Sequence, residues 1–274
     1  MTERVALVTG CSSGIGHASA RALVRAGCTT YATARRPETL AELGAAGCRT
    51  LALDVTDEKR CADVVAEIVG EQGRIDVLVN NAGYAEYGPV EEVPLDRWRR
   101  QFETNLFGAV RLTKLVLPDM RERRHGRIIN MSSMGGRMAF PLGGPYHGSK
   151  FALEAVSDVL RVEVAPFGIE VVLIEPGLVD TGYADTASSG LHDAAEGPYG
   201  DLARSFLASI ASSYGGRKAT TPEHVARVVV RAATVGRPRT RYPVTATARL
   251  LMAGRVLLPD RAWDAVLRRT FRPN

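Results

Sequence analysis

Short apolar runs alternate with amphipathic stretches through the first 180 residues of the chain. Runs that are apolar throughout are typical of strands buried on both faces of a parallel sheet. The stretches between them, such as Asp57–Val69 and Trp98–Leu117, carry apolar residues at helical spacing. With right-handed crossovers, this order predicts an α/β fold, a doubly wound parallel sheet with helices on both faces. The predicted strands are Val5–Thr9, Thr29–Ala34, Thr50–Leu53, Ile75–Asn80, Arg127–Met131 and Glu170–Ile174.

The character of the sequence changes after Thr181. Residues 182–200 are small, polar and glycine-rich, which indicates a loop. We predict a substrate lid over about 182–215, with a helix at Leu202–Ser213, and a partly apolar pocket beneath it. No break in composition and no repeat divides the chain, so residues 1–274 are predicted to form a single domain. The lid's large side chains are Tyr183, Leu191, Tyr199, Phe206 and Leu207.

The C-terminal part predicts further helices. One begins after Thr221, with Pro222 in its first turn. The tail, residues 246–270, has an amphipathic pattern that is broken at Pro259. Such a tail could cover the pocket, pack on another subunit or lie on a membrane surface. We predict burial inside the protein, because an apolar helix stripe usually faces a core.

Composition and charge exclude several classes of protein. The net charge of +5 and the pI of about 9.2 could indicate nucleic-acid binding. The arginines are scattered and not interleaved with aromatic residues, so we expect no nucleic acid but a phosphorylated small ligand. The four cysteines lack zinc-site spacing, which predicts reduced thiols and no metal. The first apolar run is too short for a signal peptide or a membrane span, so a cytoplasmic location is expected.

A glycine-rich turn, "TGCSSGIG", follows the first predicted strand and precedes a helix. Glycines permit a tight turn and a close approach of the backbone, and a helix N-terminus offers free N–H groups to a pyrophosphate. In a single-domain Rossmann fold this turn binds a dinucleotide, although a purely structural turn is the alternative. The predicted cofactor contacts here are Gly10, Ser12, Ser13, Gly14, Ile15 and Gly16.

The end of the second strand bears on which dinucleotide binds. An acid at this position would hold the free 2′-hydroxyl of the adenosine ribose. Here Ala34 stands in its place and is followed by Arg35 and Arg36. An arginine can make a bidentate contact with a 2′-phosphate. This predicts NADP(H), with Arg35 as the main contact and Arg36 as a second one or as a solvated loop residue.

Polar groups also follow the third and fourth strands. Asp54 could accept a hydrogen bond from the adenine amino group, or it could cap the next helix, a role for which Asp57 competes. "NNAG" ends the fourth strand and could tie strand ends together and line the cofactor trough. Asn105 lies in an apolar helix, where an asparagine needs a hydrogen-bond partner. The predicted cofactor contacts in these segments are Asp54, Val55, Asn81, Ala82 and Gly83.

Tyr146 and Lys150 share one face of a predicted helix, because they are four residues apart. A nearby cation favours the phenolate and moves the pKa of a tyrosine from ~10 towards neutral pH. Taken alone, this pair is more often incidental than catalytic. Ser133 ends the fifth strand at the edge of the sheet where ligands bind, which makes the catalytic interpretation the stronger one.

Together these motifs resemble the short-chain dehydrogenase/reductase family over roughly residues 4–181. The shared residues are "TGCSSGIG", "NNAG", Asn105, Ser133, "YHGSK" and "PGLVDT", and the context is most similar to the NADP(H)-linked branch acting on hydroxysteroids, retinoids and other lipophilic carbonyls. The resemblance departs at Gly148, where the family commonly has alanine. His147 points away from the Tyr146 face and is interpreted as structural.

The resemblance implies a role for each matched residue. Tyr146 would be the acid/base, Ser133 would polarise the substrate oxygen, Lys150 would bind the nicotinamide ribose and lower the pKa of Tyr146, and Asn105 would hold a proton-relay water. It also implies a homodimer or homotetramer that pairs through the helices at Trp98–Leu117 and Tyr146–Val164. Residues expected against the nicotinamide are Pro176, Gly177, Val179 and Thr181.

The resulting hypothesis is an NADPH-dependent reductase, or alcohol dehydrogenase in reverse, of a lipophilic ketone, aldehyde or secondary alcohol. The hydride comes from the cofactor, and the protein supplies position and electrostatics. One alternative is an NADP-binding regulatory protein, which would be expected to lack part of the catalytic set. Another is a different NADP-dependent reaction on this scaffold, an epimerisation or a dehydration.

Overall fold

A computed structural model describes residues 3–181, 191, 194–214 and 219–271. The first part of the predicted lid, residues 182–190 with Tyr183, lies outside these residues. Among the described residues, no helix is long and apolar enough to span a bilayer. Seven strands form one sheet in the order β3-β2-β1-β4-β5-β6-β7. They are Val5–Val8 (β1), Thr29–Ala34 (β2), Arg49–Ala52 (β3), Val77–Asn80 (β4), Gly126–Met131 (β5), Ile169–Glu175 (β6) and Arg241–Pro243 (β7).

All strand pairs are parallel, so the doubly wound fold predicted from the apolar runs is confirmed. Parallel neighbours need crossovers, and helices supply them on both faces of the sheet. The helices are Gly14–Arg25 (α1), Ala41–Ala45 (α2), Glu58–Gln72 (α3), Leu95–Phe102 (α4), Gly108–Glu122 (α5), Gly144–Val164 (α6), Gly200–Tyr214 (α7), Pro222–Thr234 (α8), Ala246–Leu257 (α9) and Asp260–Thr270 (α10).

Two apolar clusters hold the helices against the sheet, one on each face. On one face, Val8 and Val79 pack beneath α1 and α8. On the other, Leu78 and Ile128 pack beneath α3 and α5. Because successive side chains of a strand point to opposite faces, adjacent residues such as Leu78 and Val79 serve different clusters. This explains why β4 and β5 are buried along their whole length.

The parallel order brings the carboxyl ends of the central strands to one edge. The strand order reverses between β1 and β4, since β2 and β3 lie on one side of β1 and the later strands on the other. A crevice opens at such a switch point, where the loops leave in opposite directions. The glycine-rich turn after β1 and Asn81–Gly83 after β4 both start here.

Two features differ from the expectations. The predicted helix Trp98–Leu117 is interrupted, because a π-helical turn at Glu103–Phe107 separates α4 from α5. The strand β7 was not predicted, since three residues that include a proline carry no periodic signal. The other strand boundaries agree to within about two residues, which is the usual uncertainty of such ends.

The central strands are expected to dominate stability. Leu78→Ala should lower the free energy of unfolding by about 2–5 kcal/mol, because it leaves a cavity between β4 and the helices packed on it. Urea unfolding followed by circular dichroism measures this. The matched change Leu95→Ala removes the same atoms from a side chain that is 67% exposed, and it should cost no more than about 0.5 kcal/mol. Equal losses in the two variants would contradict this description of the core.

Candidate active site

The glycine-rich turn brings the backbone of β1 against that of β4. Gly10 has φ +70°, and a Cβ there would lie 2.7 Å from the Cα of Ala82. A Cβ on Gly16 would lie 2.2 Å from the carbonyl oxygen of Gly10. Only glycine fits at both positions. The turn therefore holds the start of α1 close to the strand ends, as a pyrophosphate site requires.

Side-chain amides join the ends of β1 and β4, as the sequence predicted for "NNAG". The Nδ2 of Asn81 donates to the carbonyl oxygens of Thr9 and Gly10, at 2.8 and 3.1 Å. In return, the Oγ1 of Thr9 accepts from the backbone N–H groups of Asn81 and Ala82. Asn80 donates to Asn130 of β5 at 2.9 Å. These bonds fix the spacing of three strand ends beside the turn.

A cleft of about 1070 Å³ lies along this carboxyl edge of the sheet. It is lined by every residue that the sequence singled out as catalytic or cofactor-binding, except Arg36 and Asn105. Gly14 and Thr181, which are far apart in sequence, meet there, since a Cβ on Gly14 would lie 3.1 Å from the Cγ2 of Thr181. The turn after β1 and the segment after β6 thus face each other across one cleft.

The two arginines after β2 have different positions. Arg35 lines the cleft. Arg36 is exposed outside it, and its carbonyl oxygen accepts a hydrogen bond from the Oγ1 of Thr39 at 2.6 Å. A second cofactor contact from Arg36 stays a prediction, and it would require the side chain to reach the cleft from outside its lining. Its alternative interpretation, a solvated residue that opens a loop, agrees with the structure.

Asp54 is not the cap of the helix that follows β3. Its Oδ1 accepts from the backbone N–H and the hydroxyl of Thr56, at 2.9 and 2.8 Å, which shapes a turn beside the cleft. Asp57 caps α3 instead, by accepting from the N–H of Arg60 at 2.9 Å. The contact between Asp54 and an adenine stays a prediction.

Ser133, Tyr146 and Lys150 meet at the end of β5. Tyr146 and Lys150 lie in the first turns of α6, both buried, and both line the cleft. The ammonium of Lys150 donates to the carbonyl oxygen of Met131, the last residue of β5, at 2.7 Å. Ser133 follows β5 two residues later, and its Oγ accepts from the N–H of Gly135 at 3.0 Å. The arrangement places a hydroxyl, a phenol and an ammonium at one wall.

Asn105 lies behind this wall and not on it. Its side chain is bonded to both backbone groups of Tyr84, through Oδ1 at 3.1 Å and Nδ2 at 3.0 Å, and it also donates to the Oγ of Ser149. The hydrogen-bond partner expected for this buried asparagine is thus the backbone of Tyr84, in the loop after β4. Asn105 sits in the π-helical turn, and such turns are frequent at functional sites. Its oxygen would be 3.0 Å from a Cβ on Gly83, so that position must stay small.

His147 has a structural part in the site. Its Nδ1 lies 2.9 Å from the carbonyl oxygen of Gly135, and its Nε2 accepts from the N–H of Phe140 at 3.2 Å. These two bonds require a neutral ring protonated on Nδ1. Burial also lowers the pKa of His147, which favours the same neutral form. The ring fastens the loop after β5 to α6, in agreement with the structural interpretation.

The family follows from a comparison with known proteins. A model of the short chain dehydrogenase family matches residues 4–191, more than half of the chain. The protein belongs to the short-chain dehydrogenases. It is therefore an oxidoreductase that acts on CH–OH or C=O groups with a nicotinamide cofactor. The close backbone approach at Gly10 and Gly16 suits that cofactor, since its pyrophosphate needs bare N–H groups at a helix start.

Several known proteins align with most or nearly all of the length of this short-chain dehydrogenase. It is 39% identical to an uncharacterized oxidoreductase, YusZ, of Bacillus subtilis, over 98% of this chain and 99% of the relative. A 3-ketodihydrosphingosine reductase of Bacteroides thetaiotaomicron is 41% identical over 77% and 76%. Among solved structures, the closed form of a serine dehydrogenase complexed with NADP+ superposes with a TM-score of 0.77, at 30% identity over 87% of this chain and 93% of that one.

The outer part of the cleft contains residues that sequence reasoning missed. The predicted lid and tail residues Phe206, Leu251, Trp263, Val266 and Leu267 do line it, although tertiary folding alone brings them together. Other lining residues come from loops or helix ends that have no motif to mark them. Those not anticipated include Tyr87, Arg100, Phe140, Ile210 and Phe271.

The tail is only partly buried. Trp263 is buried, and Leu251, Leu258 and Leu267 are half-buried, as expected for a segment that covers the pocket. The expectation of burial is wrong for Leu250, Val256 and Leu257, which are all at least 74% exposed. The reason is that α9 carries apolar residues on two sides, and the protein covers only one of them.

Burial controls the charge of Lys150. Removal from water lowers its pKa from 10.5 to about 8, and the negative charge of Glu154 opposes this shift. Glu154 lies one helical turn beyond Lys150 and is itself buried. It accepts from the hydroxyl of Ser132, the neighbour of Ser133, and from the Nε of Arg241 at 3.1 Å. The carboxylate of Glu154 therefore connects the loop after β5 with Arg241 of β7.

A second acid stands close to this carboxylate. Glu175, at the end of β6, has a pKa raised to about 7 by burial and by Glu154, against the opposing charges of Arg137 and Arg241. Arg241 lies 3.3 Å from Glu175 and 3.0 Å from Glu154, so the unforeseen strand β7 supplies the cation between them. The negative charge of Glu154 thus raises the pKa of both Lys150 and Glu175.

The pH dependence of the enzyme is expected to reflect this pair. The pKa of Lys150 is depressed, so its charge is present below a pH of about 8 and is lost above it. Glu154→Gln removes the charge that holds this pKa up, and the alkaline limb of kcat/KM for the oxidoreductase reaction should move to lower pH. Initial rates across a pH series measure this.

The matched control for that profile is Asp158→Asn. Asp158 pairs with the same Arg241 at 2.7 Å, one further helical turn from Lys150, and is partly exposed. Its neutral variant should leave the alkaline limb in place. Identical profiles for the two variants would show that the Glu154 charge does not act on Lys150.

Proposed function

We propose that this short-chain dehydrogenase is an NADPH-dependent reductase of lipophilic ketones or aldehydes, able to oxidise the corresponding alcohol in reverse. The observation that carries the proposal is the common wall formed by Ser133, Tyr146 and Lys150 beside the glycine-rich turn. A substrate carbonyl at this wall would lie next to the nicotinamide. A phenol, a hydroxyl and an ammonium there are the groups that carbonyl reduction needs.

Each residue of this wall has a distinct part in the proposed mechanism. NADPH supplies the hydride when bound. Tyr146 donates its proton to the carbonyl oxygen as negative charge develops there, and Ser133 holds that oxygen through a hydrogen bond. The Lys150 ammonium binds the nicotinamide ribose and favours the phenolate that Tyr146 leaves behind. Asn105 would hold the water that returns a proton to Lys150, from its buried place in the π-helical turn.

The preference for NADP(H) rests on Arg35. It follows Ala34 at the end of β2 and lines the cleft where an acid would face a ribose hydroxyl. A guanidinium there attracts a 2′-phosphate and has no such partner in NAD(H). The related serine dehydrogenase structure, which contains NADP+, supports the same choice.

A lipophilic substrate is supported by the outer cleft. The side chains that line the outer cleft come mainly from α7, α9 and α10 and from the loop after β5. They are mostly apolar. Phe206 and Phe271 pack in a tilted arrangement with 5.3 Å between ring centroids, and the rings of Phe140 and Phe271 lie 6.2 Å apart, edge to face. The name of the relative from Bacteroides thetaiotaomicron, a reductase of a ketosphingoid, is consistent with a long apolar substrate.

Pairing of subunits through α5 and α6 remains a proposal. The outward side of α6 exposes Phe151, Val156, Val159 and Val162, and Phe107 is exposed just before α5. An apolar face of this extent on two neighbouring helices is characteristic of a surface that a second subunit covers.

The role of Tyr146 is tested by Tyr146→Phe. The variant should lose activity by about 10²–10⁴-fold, because the proton donor is gone. Binding of NADPH, followed by its fluorescence, should stay near that of the wild type. Consumption of NADPH with a panel of ketones and aldehydes measures the activity.

The neighbouring ring provides the control. Tyr87 lies 6.0 Å from Tyr146 between ring centroids and lines the same cleft. Tyr87→Phe should keep most of the activity. Normal turnover in Tyr146→Phe, or an equal loss in both variants, would remove Tyr146 from the mechanism.

The role of Arg35 is tested by cofactor preference. Arg35→Ala should raise KM for NADPH by about tenfold or more, since a charge-assisted bond contributes about 1.5–3 kcal/mol, and leave KM for NADH nearly unchanged. Arg36→Ala removes the adjacent arginine outside the cleft and should change neither. A wild-type enzyme that prefers NADH, or a larger effect in Arg36→Ala, would refute the assignment.

A further inference from the structure

The helix α9 carries an apolar stripe on its outer side. Ala246, Leu250, Ala253 and Leu257 recur at intervals of four, three and four residues, so they lie along one side of the helix. All four are exposed, Leu250 to 74% and Leu257 to 81%. We call these four residues the outer stripe. Such a regular row of apolar residues on an exposed helix side differs from scattered surface leucines.

The opposite side of α9 already has a partner. Ala248 is fully buried there, and Leu251 lines the cleft. One buried side is sufficient to hold an amphipathic helix on a protein. The outer stripe therefore adds nothing to the packing among the described residues, and its exposure to water costs free energy. A row of apolar side chains that the described residues leave uncovered is typical of a surface that binds a partner.

Basic residues outnumber acidic ones in the segment that carries the outer stripe. The helix α9 contains no acidic residue, and Arg249 is exposed beside the stripe. In α10, which follows after Pro259, Arg261, Arg268 and Arg269 are all exposed. Residues 246–271 contain five arginines against two aspartates. An exposed apolar stripe in a segment with an excess of arginines is typical of helices that lie on anionic membranes.

The same two helices form a wall of the cleft. Leu251 reaches it from α9, and Trp263 and Leu267 reach it from α10. The outer stripe and the outer cleft thus lie on opposite sides of one layer of helices. A molecule held in the headgroup region at the outer stripe would be one helix diameter, about 10 Å, from the cleft.

We propose that α9 and α10 dock this protein on an anionic lipid bilayer, with the outer stripe at the boundary of headgroups and acyl chains. The arginines then meet lipid phosphates, and the helices lie in the plane of the surface. Delivery of an apolar substrate to the cleft from that bilayer rests on the proposed function, whereas the docking itself does not.

Charge favours a bilayer over a second copy of the chain. A two-fold interface brings the same patch of both subunits together. At the outer stripe this would bring the exposed Arg249 of both copies to one interface, where like charges repel. Anionic headgroups instead neutralise them, at about 1 kcal/mol for each basic residue near the surface.

Co-sedimentation of the full chain with vesicles tests the docking. Vesicles of phosphatidylcholine with phosphatidylglycerol should bind the protein, vesicles of phosphatidylcholine alone should bind it much less, and added salt should weaken the binding. The double variant Leu250→Asp/Leu257→Asp should bind the anionic vesicles at least about tenfold more weakly, because it places two carboxylates in the stripe.

Matched variants separate the stripe from a general effect of added charge. Val90→Asp/Leu95→Asp replaces two side chains that are each 67% exposed elsewhere on the protein, and it should bind vesicles nearly as the wild type does. Circular dichroism checks that both double variants are folded. Tyr146→Phe should bind vesicles normally, so failure of the proposed chemistry and failure of the docking can be told apart.

Three results would overturn the proposal. The first is equal binding to neutral and anionic vesicles, and the second is equal loss in the two double variants. The third comes from light scattering without vesicles. If Leu250→Asp/Leu257→Asp alone converts an oligomer to a smaller species and the wild type ignores vesicles, the outer stripe is a subunit contact.

Discussion

A buried ammonium at the end of β5 organises the proposed catalytic wall of this protein. Lys150 donates to the carbonyl oxygen of Met131 and is only 6% exposed, so its charge has little help from water. The cost of burying that charge is offset by the carboxylate of Glu154, one helical turn away. A lysine in this state is charged at neutral pH and close to losing its proton. The proton relay that we propose through Tyr146 requires a lysine in this condition.

The groups that hold Glu154 next to Lys150 come from several parts of the fold. Glu154 is held by Ser132 after β5 and by Arg241 in β7, and Arg241 also approaches Glu175 at the end of β6. The short edge strand β7 adds little to the apolar core, but its Arg241 is important for the electrostatics of the site. Three consecutive strands of the sheet contribute charge or hydrogen bonds to one helix turn, which makes the site a property of the whole sheet edge.

Much of the fold could be predicted because its signals are local. The apolar runs of β1 to β6 reflect burial on both faces, and "TGCSSGIG" reflects a backbone contact too close for any Cβ at Gly10 and Gly16. The spacing of Tyr146 and Lys150 needs only a helix. In contrast, the π-helical turn at Asn105 and the strand β7 arise from contacts with distant segments, and short windows of sequence do not contain them.

The sequence by itself determined the order of the first six strands and the helices between them, the glycine-rich turn and the candidate residues of the proposed catalytic wall. Each of these depends on the chemistry of a few neighbouring residues. Tertiary structure alone decided that Arg35 reaches the cleft while Arg36 does not, that Arg241 lies between two buried acids, and that α9 leaves Leu250 and Leu257 exposed. Those outcomes depend on which elements pack together, and a helix with two apolar sides does not specify which of them the protein will cover.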